Sequence, residues 1–288
     1  MNWVAGSVPA YLQRWGVRPD GEATSTASSW LVPGVWHDRR VMLKVARVEE
    51  EARAGLVLGW WAGSAAVAVH EVDDHAVLMD LATGGRDLVR MSQDGLDDDA
   101  TVILCQTVAA LHAMSGTKTP PDAVVPLTRW FRGLIEPATR APRDPGIERA
   151  AAVARELLEA PGDDGAGCGA AGIDHGVVLH GDIHHANVLD FDGRWLVIDP
   201  KGLIGDRAFD YANIFCNPDT ETAVANFPRR LAIVSEQSGI DRQTMRAWIT
   251  VWCALSTSWT AETWTAETWT AERGGTPWTA QVILAEFG

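Results

Sequence analysis

The sequence predicts a two-lobed α+β fold, with a small antiparallel sheet first and a mainly helical remainder after it. Three observations carry this. Short apolar runs between residues 28 and 79 are punctuated by turn residues, as strands are. Thr83-Gly84-Gly85 then breaks the pattern. From residue 98 the apolar positions, among them Val102, Leu104, Val108 and Leu111, recur at helical spacing. The boundary is therefore placed after residue 82, with one lobe at 1–82 and the other at 83–288.

In chain order, a strand over 28–32 leads into Pro33-Gly34, and a second over 40–45 follows the polar His37-Asp38-Arg39. Three glutamates, Glu49 to Glu51, open an apolar run through Trp61; acidic residues suit a helix N-terminus, and Gly63 ends the run. Strands follow at 67–69 and 76–79, with Asp73-Asp74 in the turn between them. A helix over 98–115 precedes a Pro/Thr-rich loop at 117–126, a further helical stretch and a helix over 147–160. Residues 161–172, rich in Gly, Asp and Ala, read as a flexible surface loop. Strands at 177–179 and 195–198 come next, and the chain from about 221 reads as helical. A repeat beginning Thr260-Ala261-Glu262-Thr263-Trp264 steps by five residues. That step turns a helix by about 140° net, so Trp259, Trp264 and Trp269 cannot share a face. The repeat is either slippage that lengthened a helix or loop, or a row of glutamates (262, 267, 272) that attracts a cation.

The net charge of −14, from 38 acidic and 24 basic residues, argues against nucleic acid or an anionic membrane as partner and is compatible with a cationic one. The four cysteines have no metal-ligand spacing, and no stretch approaches the length of a membrane span. A soluble cytoplasmic protein with free thiols is expected. The fourteen tryptophans are assigned chiefly to core and lobe interface.

The chemistry is concentrated in Leu179-His180-Gly181-Asp182-Ile183-His184-His185-Ala186-Asn187-Val188-Leu189, followed by Val197-Ile198-Asp199-Pro200. Phosphoryl transfer needs positioning, charge neutralisation and a carboxylate beside the attacking hydroxyl. Asp182 would orient and deprotonate that hydroxyl, and Asn187 and Asp199 would offer oxygen ligands to Mg²⁺. A turn between two strands also favours single Asp and Asn residues; the ordered set is what points to chemistry. His184 either orients loop backbone or is a satisfied buried imidazole, and His185 is structural or exposed.

The segment resembles the catalytic and metal-binding loops of aminoglycoside phosphotransferases. Asp199-Pro200-Lys201-Gly202-Leu203-Ile204-Gly205-Asp206-Arg207, with Phe209-Asp210-Tyr211-Ala212-Asn213, is similar to the streptomycin 6-phosphotransferase and hydroxyurea-kinase branch. The resemblance implies a protein-kinase-like fold, with Asp182 as base, Asn187 and Asp199 on Mg²⁺, His180 supporting the loop and Asp210 bracing it. It also implies ATP as donor, with GTP left open, and a small acceptor bearing a hydroxyl.

Kinases require a strand lysine on the α/β-phosphates, held by a helix glutamate. Lys44, inside the apolar run Met42-Leu43-Lys44-Val45, meets the first requirement, and Glu51 is chosen from Glu49–Glu51 for the second. No G-x-G-x-x-G is present; Ser25 to Ser29 stands there, with Ser28 and Ser29 as phosphate-binding candidates. The stretch 78–82, with Asp80 and Ala82, is the expected hinge whose backbone meets the adenine. Lys201 either neutralises phosphate charge or is a surface lysine.

The similar stretch and the acidic charge favour a guanidinium-bearing or aminoglycoside acceptor such as streptomycin, since carboxylates pair with guanidinium forks. Hydroxyurea, choline and sugar kinases are alternatives. From another class, a metal-dependent phosphohydrolase shares the Gly-Asp-x-His element, but it needs further histidine ligands and none follows Asp199.

Overall fold

The computed structural model describes residues 6–61, 63–136, 144–159, 176–263 and 276–288. Helix α1 (Val8–Trp15) ends at Gly16, whose φ of 66° gives the left-handed cap that releases the chain into β1 (Arg18–Pro19). Strands β2 (Thr24–Ser25), β3 (Ser29–Trp36) and β4 (Arg39–Ala46) follow, then α2 (Glu49–Trp60), β5 (Val69–Val72) and β6 (Ala76–Asp80). These strands form one antiparallel six-stranded sheet in the order β1-β3-β4-β6-β5, with β2 also paired to β3.

Alternation along β4 divides the sheet's faces. Val41, Leu43 and Val45 point toward Tyr11 and Val17 from the α1 side, forming a small core with Val32, Ala76 and Leu78. Met42 and Lys44 point the other way, toward α2 and the centre of the molecule. The two β3–β4 residues that reverse the chain are His37 and Asp38, at φ 45° and 62°, a turn of the hairpin-favouring hand. Pro33 and Gly34 therefore lie inside β3, opposite Met42 and Val41, rather than at the turn that sequence reading placed after residue 32. Glycine is needed at 34 because β1 crosses there: a Cβ would stand 2.9 Å from the Arg18 carbonyl oxygen. The expected strand at 67–69 is also displaced. Ala66 bridges Val197 and the Val67 N–H donates to the Val197 carbonyl, so this backbone joins the second half of the chain before β5 begins at Val69.

The remaining elements are mainly helical. They are α3 (Leu88–Gln93), α4 (Asp97–His112), β7 (Val125–Pro126), α5 (Leu127–Trp130), α6 (Arg132–Ile135), α7 (Pro145–Glu159), β8 (Val177–Leu179), β9 (Val188–Phe191), β10 (Arg194–Val197), β11 (Leu203–Gly205), α8 (Phe209–Ala212), α9 (Thr220–Ser238), α10 (Arg242–Thr263) and α11 (Thr276–Phe287). Strands β9 and β10 make a hairpin, and β11 lies between β7 and β8. Sequence reading missed α1, α3, α8, β1, β2, β7, β9 and β11. Apart from α1 and α3 these are two to four residues long, too short for a period to show. The large core gathers Trp61, Phe131, Phe209, Phe215, Phe227 and Trp248, all essentially inaccessible. Cys105, Cys216 and Cys253 are buried free thiols. The loop expected at 161–172, Cys168 within it, and the repeat beyond Thr263 lie outside the described residues. Among the described residues no helix is long and apolar enough to cross a membrane.

The break after the sheet has a steric cause. Gly84 passes so close to β9 that a Cβ would stand 2.5 Å from an Asp190 carboxylate oxygen. The Gly84 N–H donates to the Asp190 carbonyl at 3.0 Å, and Arg86 Nε donates to its carboxylate at 2.9 Å. The sheet's exit is thus tied to the hairpin that follows the Asp182 loop.

Candidate active site

Asp182 follows β8 on a sharp turn that Gly181 makes at φ 83°. Asp210, at the start of α8, holds this turn. Its Oδ2 accepts from the His180 N–H at 2.9 Å, and its Oδ1 accepts from the Gly181 N–H at 2.6 Å. His112, in the last turn of α4, reaches the same Oδ2 through Nε2 at 2.8 Å. Asp210 is buried, so these bonds are formed where water does not compete.

His180 is neutral: complete burial drives its pKa down against the pull of Asp210 and Asp182. Its tautomer follows from its partners. Nε2 lies 2.8 Å from the Ile198 carbonyl, which can only accept, so Nε2 carries the hydrogen. Nδ1 is then free to accept from the Asp182 N–H at 3.2 Å. The ring also stacks on Trp61 with centroids 6.3 Å apart, joining the end of α2 to the loop. His184 accepts from the Ala186 N–H through Nδ1, and burial lowers its pKa despite Asp182 and Asp199. His185 is buried, which decides between structural and exposed positions.

Asn187 Nδ2 donates to the Asp182 carbonyl at 2.9 Å, which turns its Oδ1 away; among the described residues no donor reaches that oxygen. The Ile198 N–H donates to the Asn187 carbonyl at 3.0 Å, which brings Asp199 beside it. Asp199 sits at φ 63°, a left-handed conformation that costs on the order of 1–3 kcal/mol for a non-glycine residue and is characteristic of functional sites.

Lys44 spans from the sheet to both partners. Its Nζ contacts Glu51 Oε2 and Asp199 Oδ1, with Lys44 and Glu51 both buried. Burial disfavours charge on Asp199, but Lys44, Lys201 and Glu51 together hold the carboxyl below its ordinary value. Lys201 joins the cluster: its Nζ lies 3.3 Å from Glu51 Oε1 and 3.5 Å from Glu50 Oε1. Burial works against its charge too, and Asp182, Glu51, Glu50 and Asp199 together reverse that and raise its pKa. It is a partly buried member of the site rather than a surface lysine.

At the hairpin tip, the Ser28 and Ser29 N–H groups both donate to Thr26 Oγ1, at 3.3 and 2.9 Å. They are already engaged, so any phosphate role for these serines rests on their hydroxyls. Ser29 Oγ stands 3.5 Å from Glu51 Oε2. The Asp80 N–H donates to the Ala68 carbonyl, the Leu81 N–H to the Arg40 carbonyl, and the Asp80 side chain accepts from or shares a proton with His70 at 2.7 Å. The Ala82 N–H has no protein partner among the described residues.

Sequence reasoning did not assign a role to Asn213, which donates through Nδ2 to Asp182 Oδ1 at 2.8 Å. An asparagine after an aromatic-rich turn carries no periodicity or charge by which to recognise it. No three His, Cys, Asp or Glu side chains converge to hold a metal among the described residues, so the ligand set of a dinuclear phosphohydrolase is not assembled there.

A strand lysine held by a helix glutamate, facing a braced carboxylate loop beneath a small antiparallel sheet, defines a kinase-like phosphotransferase. Comparison with known proteins carries this to a family. Residues 14–263 match the aminoglycoside/hydroxyurea antibiotic resistance kinase family, and the chain belongs to it. It is 41% identical over 257 residues to a streptomycin 3''-kinase of Klebsiella pneumoniae, covering 86% of this chain and 90% of that one. It is 29% identical over 285 residues to a streptomycin 6-kinase of Streptomyces griseus, covering 90% and 85%. Among solved structures it is similar in fold to a thermostable mutant of aminoglycoside phosphotransferase APH(4)-Ia in ternary complex with AMP-PNP and hygromycin B. There the TM-score is 0.60, with 15% identity and 96% and 97% of the two chains covered. The chain is thus an antibiotic-resistance kinase, a phosphotransferase with an alcohol group as acceptor.

Proposed function

We propose that this kinase transfers the γ-phosphoryl group of ATP to a hydroxyl of streptomycin, with residues 1–82 as nucleotide lobe and 83–288 as catalytic and acceptor lobe. The observation that carries the reading is the placement of Lys44, Glu51 and Asp199 in one ion cluster beside the Asp182 loop. Lys44 is the cation for the α/β-phosphates; Glu51 sets its position from α2. The unpartnered Ala82 N–H is suited to the adenine edge, and the engaged N–H groups of Asp80 and Leu81 leave that edge rigid.

The donor set suits Mg²⁺. One carboxylate, Asp199, and one amide oxygen, Asn187 Oδ1, are hard ligands, and Mg²⁺ in such sites takes few protein ligands and completes its shell with phosphate oxygens and water. When bound, the ion neutralises charge on the β- and γ-phosphates. The chain's residues do the rest. Asp182 accepts a hydrogen bond from the acceptor hydroxyl and takes its proton as the oxygen bonds to the γ-phosphorus. The bond from that phosphorus to the β–γ bridging oxygen breaks, and ADP leaves. Lys201, charged and facing Asp182 and Asp199, is placed to balance negative charge on the transferred group.

Greater identity to the 3''-kinase than to the 6-kinase supports the 3''-hydroxyl as acceptor. The net charge of −14 favours approach of a cationic antibiotic. Expression in a streptomycin-sensitive host tests the proposal. Protection by the wild-type chain and none by Asp182→Ala is expected; no protection by either, or equal protection by both, contradicts it.

A further inference from the structure

We infer that Asn213 is a positioning residue for Asp182, and that its amide is locked into the donating orientation by Asn217. The inference rests on Asp182 being the base.

Which end of an asparagine amide is nitrogen must be settled from its partners. Here two independent constraints agree. Asn217 Nδ2 lies 3.1 Å from the Asn213 backbone carbonyl, an acceptor only, so the Asn217 amino group is the end that faces Asn213. The same nitrogen lies 2.9 Å from the Asn213 side chain, which must present oxygen to it. The other end of Asn213 is then its amino group, and it meets Asp182 Oδ1 at 2.8 Å. An ionised carboxylate accepts and never donates, so the assignment is consistent from both sides. Flipping Asn213 would place oxygen against oxygen at Asp182 and nitrogen against nitrogen at Asn217. Asn213 and Asn217 are both buried, and no flip is compensated by water from bulk.

The lock is anchored further back. Arg230, fully buried on α9, donates from Nη1 to the carbonyls of Ile214 at 2.7 Å and Asn217 at 2.5 Å. Its Nε and Nη2 bond Asp97 at the start of α4. The run from Asp97 through Arg230, Asn217 and Asn213, all buried, is continuous and ends on the half-buried Asp182. It fixes one oxygen of Asp182 and leaves the other for the acceptor hydroxyl, so one carboxylate orientation is selected before substrate arrives.

A double-mutant cycle tests this. In wild type, Asn213→Ala should lower kcat about tenfold to a hundredfold with the KM for ATP within about twofold, because only the base is misplaced. In the Asp182→Ala background the same substitution should lower the residual rate by less than about twofold, since the group it acts through is gone. Asn213→Ser, which leaves a polar space that water can occupy, repeats the cycle in case the alanine variant folds poorly. Melting temperatures of all forms separate lost stability from lost positioning. Equal losses in the two backgrounds, or an unchanged kcat in an active wild-type enzyme, overturn the inference alone. A wild-type chain that transfers no phosphoryl group overturns the functional reading and the inference with it.

Discussion

The two sides of the candidate site are held by different forces. Around Asp182 the bracing groups are the buried Asp210 carboxylate with two backbone N–H donors, the His180 imidazole, and the Asn187 and Asn213 amides, all joined by directional hydrogen bonds. Across from it, Lys44, Lys201, Glu51 and Asp199 are held mainly by charge, with each lysine shared between carboxylates. A directional network preserves one geometry. A charge cluster can redistribute, and the proposed function requires it, since Lys44 would exchange part of its carboxylate contact for triphosphate. On that proposal the base is set before substrate binds, while the phosphate side completes itself on binding.

Removing the base gives the largest expected effect. Asp182→Ala should lower kcat about a thousandfold, with little change in the KM for ATP; steady-state kinetics show whether loss falls on kcat alone. A comparable rise in KM would mean that the loop also organises the nucleotide side. Lys44→Ala comes next. It should lower kcat/KM for ATP about a hundredfold, chiefly through KM, and destabilise by up to about 3 kcal/mol because Glu51 and Asp199 lose a buried cation. Lys201, already beside Glu51, should limit that cost, and adding Lys201→Ala should destabilise by more than the sum of the two. Denaturant unfolding of the single and double variants measures this.

Asp210→Asn sharpens the contrast from the directional side. The amide presents an amino group to the His180 or Gly181 N–H, so a buried donor loses its acceptor. A loss of about 1–3 kcal/mol is expected, with kcat falling while the KM for ATP holds. The smallest effect is at Asp190. Its hydrogen bonds from Arg86 hold its carboxyl down to about 2. A depressed folded value means stability that is present above the ordinary carboxylate range and lost as pH falls through that range to about 2. Asp190→Asn should flatten this part of an acid-unfolding curve and change stability near neutrality by about 1 kcal/mol.

These differences also explain what could be read from the chain. The loop 179–189 with Asp199 is legible because phosphoryl transfer demands fixed residue types at short spacings, and the fold brings Asp182, Asn187 and Asp199 together as their spacing suggests. Lys44 and Glu51 are legible less directly, as a strand lysine and a nearby helix glutamate, and they meet in the structure. What escapes is set by tertiary contact. Gly34 looks like a turn residue until β1 is seen crossing it, and residues 66–67 leave the sheet to meet Val197. Asn213 and Asn217 are neutral, and only their contacts with each other and with Asp182 reveal that their amides are aimed.

The central claim is that Asp182 is the base for transfer from ATP to a streptomycin hydroxyl. Incubating the purified chain with γ-labelled ATP, Mg²⁺ and streptomycin, and mapping the product by mass spectrometry and NMR, tests it most directly. The account predicts one phosphate on a single hydroxyl, formed by wild type and reduced about a thousandfold in Asp182→Ala. Transfer at an equal rate by both proteins, or label released only as free phosphate, would contradict it.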